Sequence, residues 1–367
     1  MIAYLIRTGD VIMKNLEKAK QILSEKNSDA MLINSEVNMH YFCDFSPSEG
    51  IVFITKNECY HIVDSRYTET AKNHAEKTGL EVIEISSAFT DVLNELIDKH
   101  KISSILFENE TISLAKYKLF STKLNAQLVE LNNEIEQLRN VKSIEEKEKI
   151  RSAQKIAESA YLELLNHIEV GKSEKELCAY FDYLMAKNGS DGVSFSTILL
   201  SGARTSMPHG VPSDNTVKDG DFVLFDFGAT LDGYHSDTTR TVCVGTPSDE
   251  QKFVYNLVLK AQLAGISALK AGKKCSDVYY EAYNVLDKEG YAQYFRHSLG
   301  HCVGLEIHEG YSSSPVSKDT YQVGNVTSVE PGVYLPGKFG IRIEDILYVT
   351  ENGSENLVTL DKELIVL

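Results

Sequence analysis

Five side chains in the second half of the sequence have the donor chemistry of a metal centre: Asp226, Asp237, His301, Glu330 and Glu344. Four carboxylates of one sign repel each other when they leave water, and each prefers to stay solvated. A fold that gathers them needs positive charge among them. Oxygen donors with a single imidazole favour a hard or borderline divalent ion over a thiolate-seeking one. Taken singly, each acid would read as an ordinary surface carboxylate. Their sequence settings argue otherwise. Asp226 ends the apolar run Phe222-Val223-Leu224-Phe225, and Asp237 precedes the β-branched run Thr238 to Val244. Between them lies Asp232-Gly233, a turn dipeptide. The two aspartates are symmetric about a point between residues 231 and 232, so a hairpin centred there sets them side by side. Glu330 and Glu344 are likewise symmetric about Gly337, with Val333-Tyr334-Leu335 on one side and Ile341-Arg342-Ile343 on the other. Two acidic hairpins and His301 predict one shared centre, and bridging carboxylates are the usual way to hold a metal pair about 3.5–4 Å apart.

Three more histidines fall near these segments: His209 in Pro208-His209-Gly210, His297 in Arg296-His297-Ser298, and His308 in Ile307-His308-Glu309. Imidazoles suit substrate orientation, proton transfer and stabilisation of a developing oxyanion. Arg342 lies two residues before Glu344, on the same strand face if the strand is regular. It is placed to pair with a carboxylate ligand or with a substrate carboxylate.

The elements that must position these residues follow from patterning. The chain has 367 residues, 43% hydrophobic and 25% charged, a globular composition long enough for two domains. A net charge of −16 provides no basic field for a nucleic-acid backbone. Six scattered cysteines form no CxxC pair, and no stretch reaches the ~18–20 apolar residues of a bilayer span. These features fit a cytoplasmic enzyme. Residues 1–12 read as an upstream extension without a signal-peptide h-region, and a helix is predicted over 14–26. Strands are predicted at 29–34, 50–55, 59–64, 80–85 and 103–107, the second and third paired as a hairpin around Lys56-Asn57-Glu58 and the later ones alternating with helices, which makes an α/β domain up to residue 134. Capping boxes at Ser143/Glu146, Ser173/Glu176 and Ser248/Gln251 open three helices, and Ser276-Asp277 a fourth. Strands bearing the acids alternate with these helices, so residues 135–367 read as an α+β domain with an antiparallel sheet.

Several stretches resemble the pita-bread metallopeptidases: Asp226-Phe227-Gly228-Ala229, Gly233 to Thr241, His297-Ser298-Leu299-Gly300-His301, Gly304 to His308, Val329-Glu330-Pro331-Gly332 and Gly340 to Asp345. Within that family the likeness is to Xaa-Pro aminopeptidases and Xaa-Pro dipeptidases (prolidases), and it covers nearly the whole chain. The resemblance implies a creatinase-like N-terminal domain over 13–134 and a pita-bread catalytic domain with internal pseudo-symmetry over 135–367. It implies two divalent ions, manganese above all, with cobalt or zinc as alternatives. Asp226 would chelate one ion, His301 and Glu330 the other, and Asp237 and Glu344 would bridge them. A water between the ions would attack the peptide carbonyl, with Glu330 relaying its proton. His308 would steady the tetrahedral intermediate, His209 and His297 would contact substrate around the proline, and Arg342 would support the site. Short proline-containing peptides as substrates and a homodimer are further implications. Three alternatives stay open: a methionine aminopeptidase-like enzyme, a metal-free creatinase-type hydrolase and a non-catalytic binding module. The intact ligand set speaks against the last two. The N-terminal domain, His297 and the short spacing between Glu330 and Glu344 speak against the first.

Overall fold

The structure, a computed structural model, describes residues 8–367. It divides by internal contacts into a first unit ending at Arg139 and a second unit, Asn140–Leu367. Among the described residues no helix is long and apolar enough to cross a membrane.

The first unit runs α1 (Thr8–Glu25), β1 (Ala30–Ile33), α2 (Glu36–Cys43), β2 (Gly50–Thr55), β3 (Cys59–Val63), α3 (Thr68–Thr78), β4 (Glu81–Glu84), α4 (Phe89–His100), β5 (Ser104–Phe107), α5 (Leu114–Lys123), β6 (Gln127–Glu130) and α6 (Glu134–Asn140). Its six strands form one mixed sheet in the order β4-β3-β2-β1-β5-β6. The hairpin predicted around Lys56-Asn57-Glu58 is present, with Gly50 opposite Val63. The central strands β1 and β2 are buried along their whole length, which is why they read as unbroken apolar runs. Helix α1 begins earlier than the predicted 14–26. Residues 1–7 of the expected extension lie outside the described residues; α1 takes in the rest, and Ile12 is buried. The unit closes with α6 rather than at residue 134, because Arg139 is buried and donates to the Asn38 side chain.

The second unit begins with α7 (Ile144–Leu165) and α8 (Glu174–Lys187). Next come β7 (Gly192–Val193), β8 (Ile198–Ser201), β9 (Phe222–Phe227), β10 (Ala229–Leu231), β11 (Tyr234–His235) and β12 (Thr238–Cys243). Helices α9 (Asp249–Ala268) and α10 (Cys275–Lys288) follow. The chain ends with β13 (Gly300–Cys302), β14 (Glu309–Ser313), β15 (Val326–Val329), β16 (Gly332–Leu335), β17 (Phe339–Arg342), β18 (Asp345–Val349) and β19 (Ser354–Asn356). All three predicted capping boxes form. Helix α10 starts one residue ahead of the predicted Ser276, capped by the backbone of Lys274 without a side-chain bond. Each strand pairing within this unit's sheets is antiparallel.

The two long hairpins carry the acids. In the second, β16 pairs with β17 and β15 with β18 in one continuous register, Gly332 opposite Arg342 and Val329 opposite Asp345. Glu330 and Glu344 occupy the interruption between the two ladders, as the symmetry about Gly337 predicts. The first hairpin differs by one residue from expectation. Leu231 pairs with Tyr234 and Phe227 with Thr238, so the turn centres between Asp232 and Gly233. Both turn residues have positive φ (49° and 76°), the two-residue geometry whose twist matches that of the strands. Asp226 therefore stands opposite Thr239 rather than Asp237, and Asp237 lies in the break between β11 and β12.

Candidate metal centre

Every site residue predicted from the sequence lines one cavity of the second unit, of ≈ 580 Å³: His209, Asp226, Asp237, His297, His301, His308, Glu330, Arg342 and Glu344. Phe195, Ile198 and Ile307 supply apolar wall. The acids reach the cavity because they sit on β9 or in hairpin breaks, where backbone pleating no longer dictates alternate faces. His301 comes from β13, which lies against β15; a Cβ on the preceding Gly300 would stand 2.0 Å from the Ser328 carbonyl oxygen. That close approach brings the His301 ring beside Glu330.

The hydrogen bonding leaves these groups facing one another with lone pairs. His301 Nδ1 lies 3.2 Å from the Cys302 carbonyl, so this nitrogen carries the hydrogen and donates. Burial, ahead of the contacts that oppose it, lowers the pKa of His301 and favours the neutral ring. Its Nε2 then turns a lone pair toward Asp237 Oδ2 at 3.5 Å and Glu330 Oε1 at 3.4 Å. One oxygen of Glu344 accepts from the Thr239 hydroxyl at 2.7 Å; the other, Oε1, is buried and has no hydrogen-bond partner. Ligand atoms of Asp237, His301 and Glu344 all lie within 4.8 Å of one another. A buried orphaned carboxylate oxygen beside two further acceptors is electrostatically unfavourable unless a proton or cation stands between them. The residues fit a divalent ion.

The same crowding shows in the carboxyl groups. Asp237 is raised well above the ordinary carboxylate range, first by burial and then by Glu344, Asp226 and Glu330. Glu344 is raised in the same way, by burial and then by Glu330 and Asp226. Burial pushes Glu330 up to about 8, against the pull of Arg342.

Arg342 is the cation already in place. Of the two pairings the sequence allowed, it makes the one to a predicted ligand: its Nη2 lies 2.5 Å from Asp226 Oδ2. It also donates to the Thr239 hydroxyl at 2.9 Å, to the Tyr334 oxygen at 2.7 Å and to the Pro208 carbonyl at 3.4 Å. Burial works to lower its pKa, but Tyr334, Asp226 and Glu330 hold it well above the ordinary value. The Tyr334 hydroxyl in turn lies 3.0 Å from His297 Nε2, while His297 Nδ1 lies 2.7 Å from the Ser298 carbonyl. Burial, assisted by Arg342, pushes His297 down to about 3, so the ring is neutral. The relay is thus fixed: Arg342 donates to Tyr334, Tyr334 to His297 Nε2, and His297 Nδ1 to Ser298. Both His297 nitrogens are engaged within the protein. The His308 ring packs 4.2 Å from that of His301, centroid to centroid. Burial and the neighbouring His301 and His209 lower its pKa.

Thr239, Ser328 and Tyr334 were not singled out from the sequence. Thr239 links Arg342 to Glu344, and the Ser328 hydroxyl accepts from His301 N–H at 3.0 Å and donates to Glu330 at 3.1 Å. Thr239 is hidden in a β-branched run that reads as plain strand. Ser328 and Tyr334 lie in short strands on either side of the break at Glu330 and carry no local signal of their role.

Residues 148–351 match the profile of Metallopeptidase family M24, and residues 15–141 that of the Creatinase/Prolidase N-terminal domain. Among relatives, an Xaa-Pro dipeptidase of Pyrococcus furiosus is 35% identical, over 96% of this chain and 99% of its own. An Xaa-Pro dipeptidase from Bacillus anthracis superposes with a TM-score of 0.93 at 35% identity, covering 97% of this chain and 100% of that one. An X-Pro aminopeptidase from Thermotoga maritima superposes with a TM-score of 0.90 at 40% identity, over 94% and 99% of the two chains. These matches agree with the creatinase-like N-terminal domain and pita-bread catalytic domain predicted above. With likeness extending along both units and a donor set that fits a divalent ion, the chain belongs to metallopeptidase family M24.

Proposed function

We propose that this enzyme hydrolyses peptide bonds in which proline is on the leaving side, with two divalent ions held by Asp226, Asp237, His301, Glu330 and Glu344. The observation that carries the reading is the lone-pair confrontation at the centre: His301 Nε2 facing Asp237 and Glu330 at 3.5 and 3.4 Å, beside the unpartnered Glu344 Oε1. Relatives named Xaa-Pro dipeptidase and X-Pro aminopeptidase support the substrate class. Bound ions would acidify a water and polarise the scissile carbonyl. Asp237 and Glu344, from the breaks of the two hairpins, would be shared by the ions, with Asp226 holding one of them and His301 and Glu330 the other. Glu330 takes and returns the proton during bond cleavage. His308, neutral and beside His301, donates to the carbonyl oxygen as it gains charge. His297 offers a ring edge to the proline rather than a nitrogen, because Tyr334 and Ser298 engage both nitrogens. His209, at the cavity rim, contacts the substrate backbone. Arg342 orients Asp226 and, through Tyr334, His297.

Manganese as the native ion and a homodimer are parts of the same proposal and rest on the resemblance; a cytoplasmic location rests on the composition. The deciding assay compares Xaa-Pro dipeptides with Xaa-Pro-Xaa peptides in added manganese. Turnover of both is expected. Cleavage of dipeptides alone would reduce the reading to a dipeptidase, and cleavage of neither, with Met-Xaa peptides cut instead, would replace it with the methionine aminopeptidase-like alternative.

A further inference from the structure

Between β8 and β9 the chain makes a long excursion with little regular structure, and Pro208 and His209 on it line the cavity. Its apex is exposed, Met207 by 49% and Val211 by 76%. An exposed stretch of this kind has many conformations of similar energy unless its base is fixed.

One buried carboxylate bonds both limbs at the base of this excursion, beside the Asn215 amide, which donates to the Ser201 hydroxyl at 2.8 Å. Glu174 is the first residue of α8 and is 0% exposed. Its Oε1 accepts from Ser201 N–H at 2.8 Å, and its Oε2 from Ser213 N–H at 2.9 Å and the Ser213 hydroxyl at 2.8 Å. Arg204 Nε lies 3.0 Å from Oε2 and 3.2 Å from Oε1. The donors come from both sides of His209, so a single group ties the ascending and descending limbs together. Arg204 carries the tie further by donating through Nη2 to the Val211 carbonyl at 2.7 Å. A buried carboxylate is unfavourable without such saturation by donors and a cation. Here its full acceptor capacity is directed at the two limbs of one loop.

We propose that Glu174 is a positioning residue for His209: its carboxylate closes the base of the 201–213 loop and so holds the imidazole at the rim of the active-site cavity. This rests on the reading of His209 as a substrate contact. The chemistry requires an anion. A carboxylate accepts on both oxygens, whereas the glutamine amide accepts on one side and presents N–H to the other. In Glu174→Gln one limb would meet donor against donor and be released.

The test joins kinetics to a direct view of the ring. In the full-length, metal-loaded enzyme, Glu174→Gln is expected to lower kcat/KM on an Xaa-Pro peptide roughly 10- to 100-fold, the scale of a small misplacement, with bound metal unchanged. In a His209→Ala background the same substitution is expected to have no further effect. An equal fold-loss in both backgrounds would make Glu174 merely structural and overturn the proposal. Independently, the His209 ring signals in a histidine-labelled NMR spectrum, identified by their loss in His209→Ala, are expected to shift or broaden in Glu174→Gln. Unchanged signals would overturn the proposal. If His209→Ala alone is fully active, the substrate-contact reading fails, and the NMR signals still decide the positioning. Should Glu174→Gln not fold, Ser213→Ala loosens only one limb and is read by the same two measurements.

Discussion

Removing metal from this enzyme is expected to make its stability fall as pH rises. The cause is the crowded carboxyl cluster, and Glu330 sets the scale. Its folded-state value is about 8, against an ordinary 4.5. Between those values the folded metal-free protein keeps a proton that the unfolded chain releases. Stability from this group is therefore fully present below pH 4.5 and is lost as pH climbs toward 8. At about 1.36 kcal/mol per pH unit the full span is worth roughly 5 kcal/mol, and the interval from pH 5.5 to 7.5 roughly half of that. For a domain of about 150–250 residues, at roughly 2–4 °C per kcal/mol, that interval corresponds to a drop in Tm of about 5–10 °C. Asp237 and Glu344, raised in the same direction, steepen the slope. Divalent ions replace the protons, so in saturating metal the slope should vanish. The assay is calorimetry of metal-free and metal-loaded protein across that range. The gap between the two Tm values should widen as pH rises. A gap that is constant or that narrows would refute the claim that these carboxyls share one desolvated cluster.

Three further outcomes follow from named contacts. Asp237→Asn and Glu344→Gln should each lose paired metal and fall to background turnover, measured by elemental analysis beside an Xaa-Pro peptide assay; full activity in either would end its assignment as a bridge. His308→Ala should lower kcat far more than metal content, because its expected partner is the substrate oxygen; equal losses of both would make it a structural neighbour of His301. Arg240 is buried and donates to the Asp345 carboxylate at 2.8 Å and to the carbonyls of Leu360 and Asp361. Arg240→Met leaves these acceptors buried with less compensation and should cost about 3–5 kcal/mol in urea unfolding, whereas a loss below about 1 kcal/mol would show that Lys362, the other cation on Asp345, suffices.

The legibility of the site was uneven for physical reasons. The second acidic hairpin could be registered from sequence because Gly337 sits at its centre and the same register continues through both ladders. The first is offset by one residue, because the positive φ values of Asp232 and Gly233 fix the turn and symmetry between the two aspartates does not. Side-chain period decides which face a residue takes only inside a regular ladder, and Asp237, Glu330 and Glu344 lie in breaks. The metal-ligand types were visible because carboxylates and imidazole carry their chemistry in their identity. Helices α7, α8 and α9 were visible because their capping boxes are local.

What the sequence determined alone was therefore the inventory: which groups could bind cations, where the local starts and turns fall, and the family likeness. What only the tertiary structure decided was how those groups are engaged. His297 has no free nitrogen because Tyr334, far from it in sequence, reaches its ring. Arg342 neutralises Asp226 rather than facing an empty pocket. Glu174 looks like a helix-start acid in sequence and proves to be the clamp of a distant loop. Such roles depend on distances between segments dozens of residues apart, and no local pattern encodes them, because electrostatics and hydrogen bonding act through space.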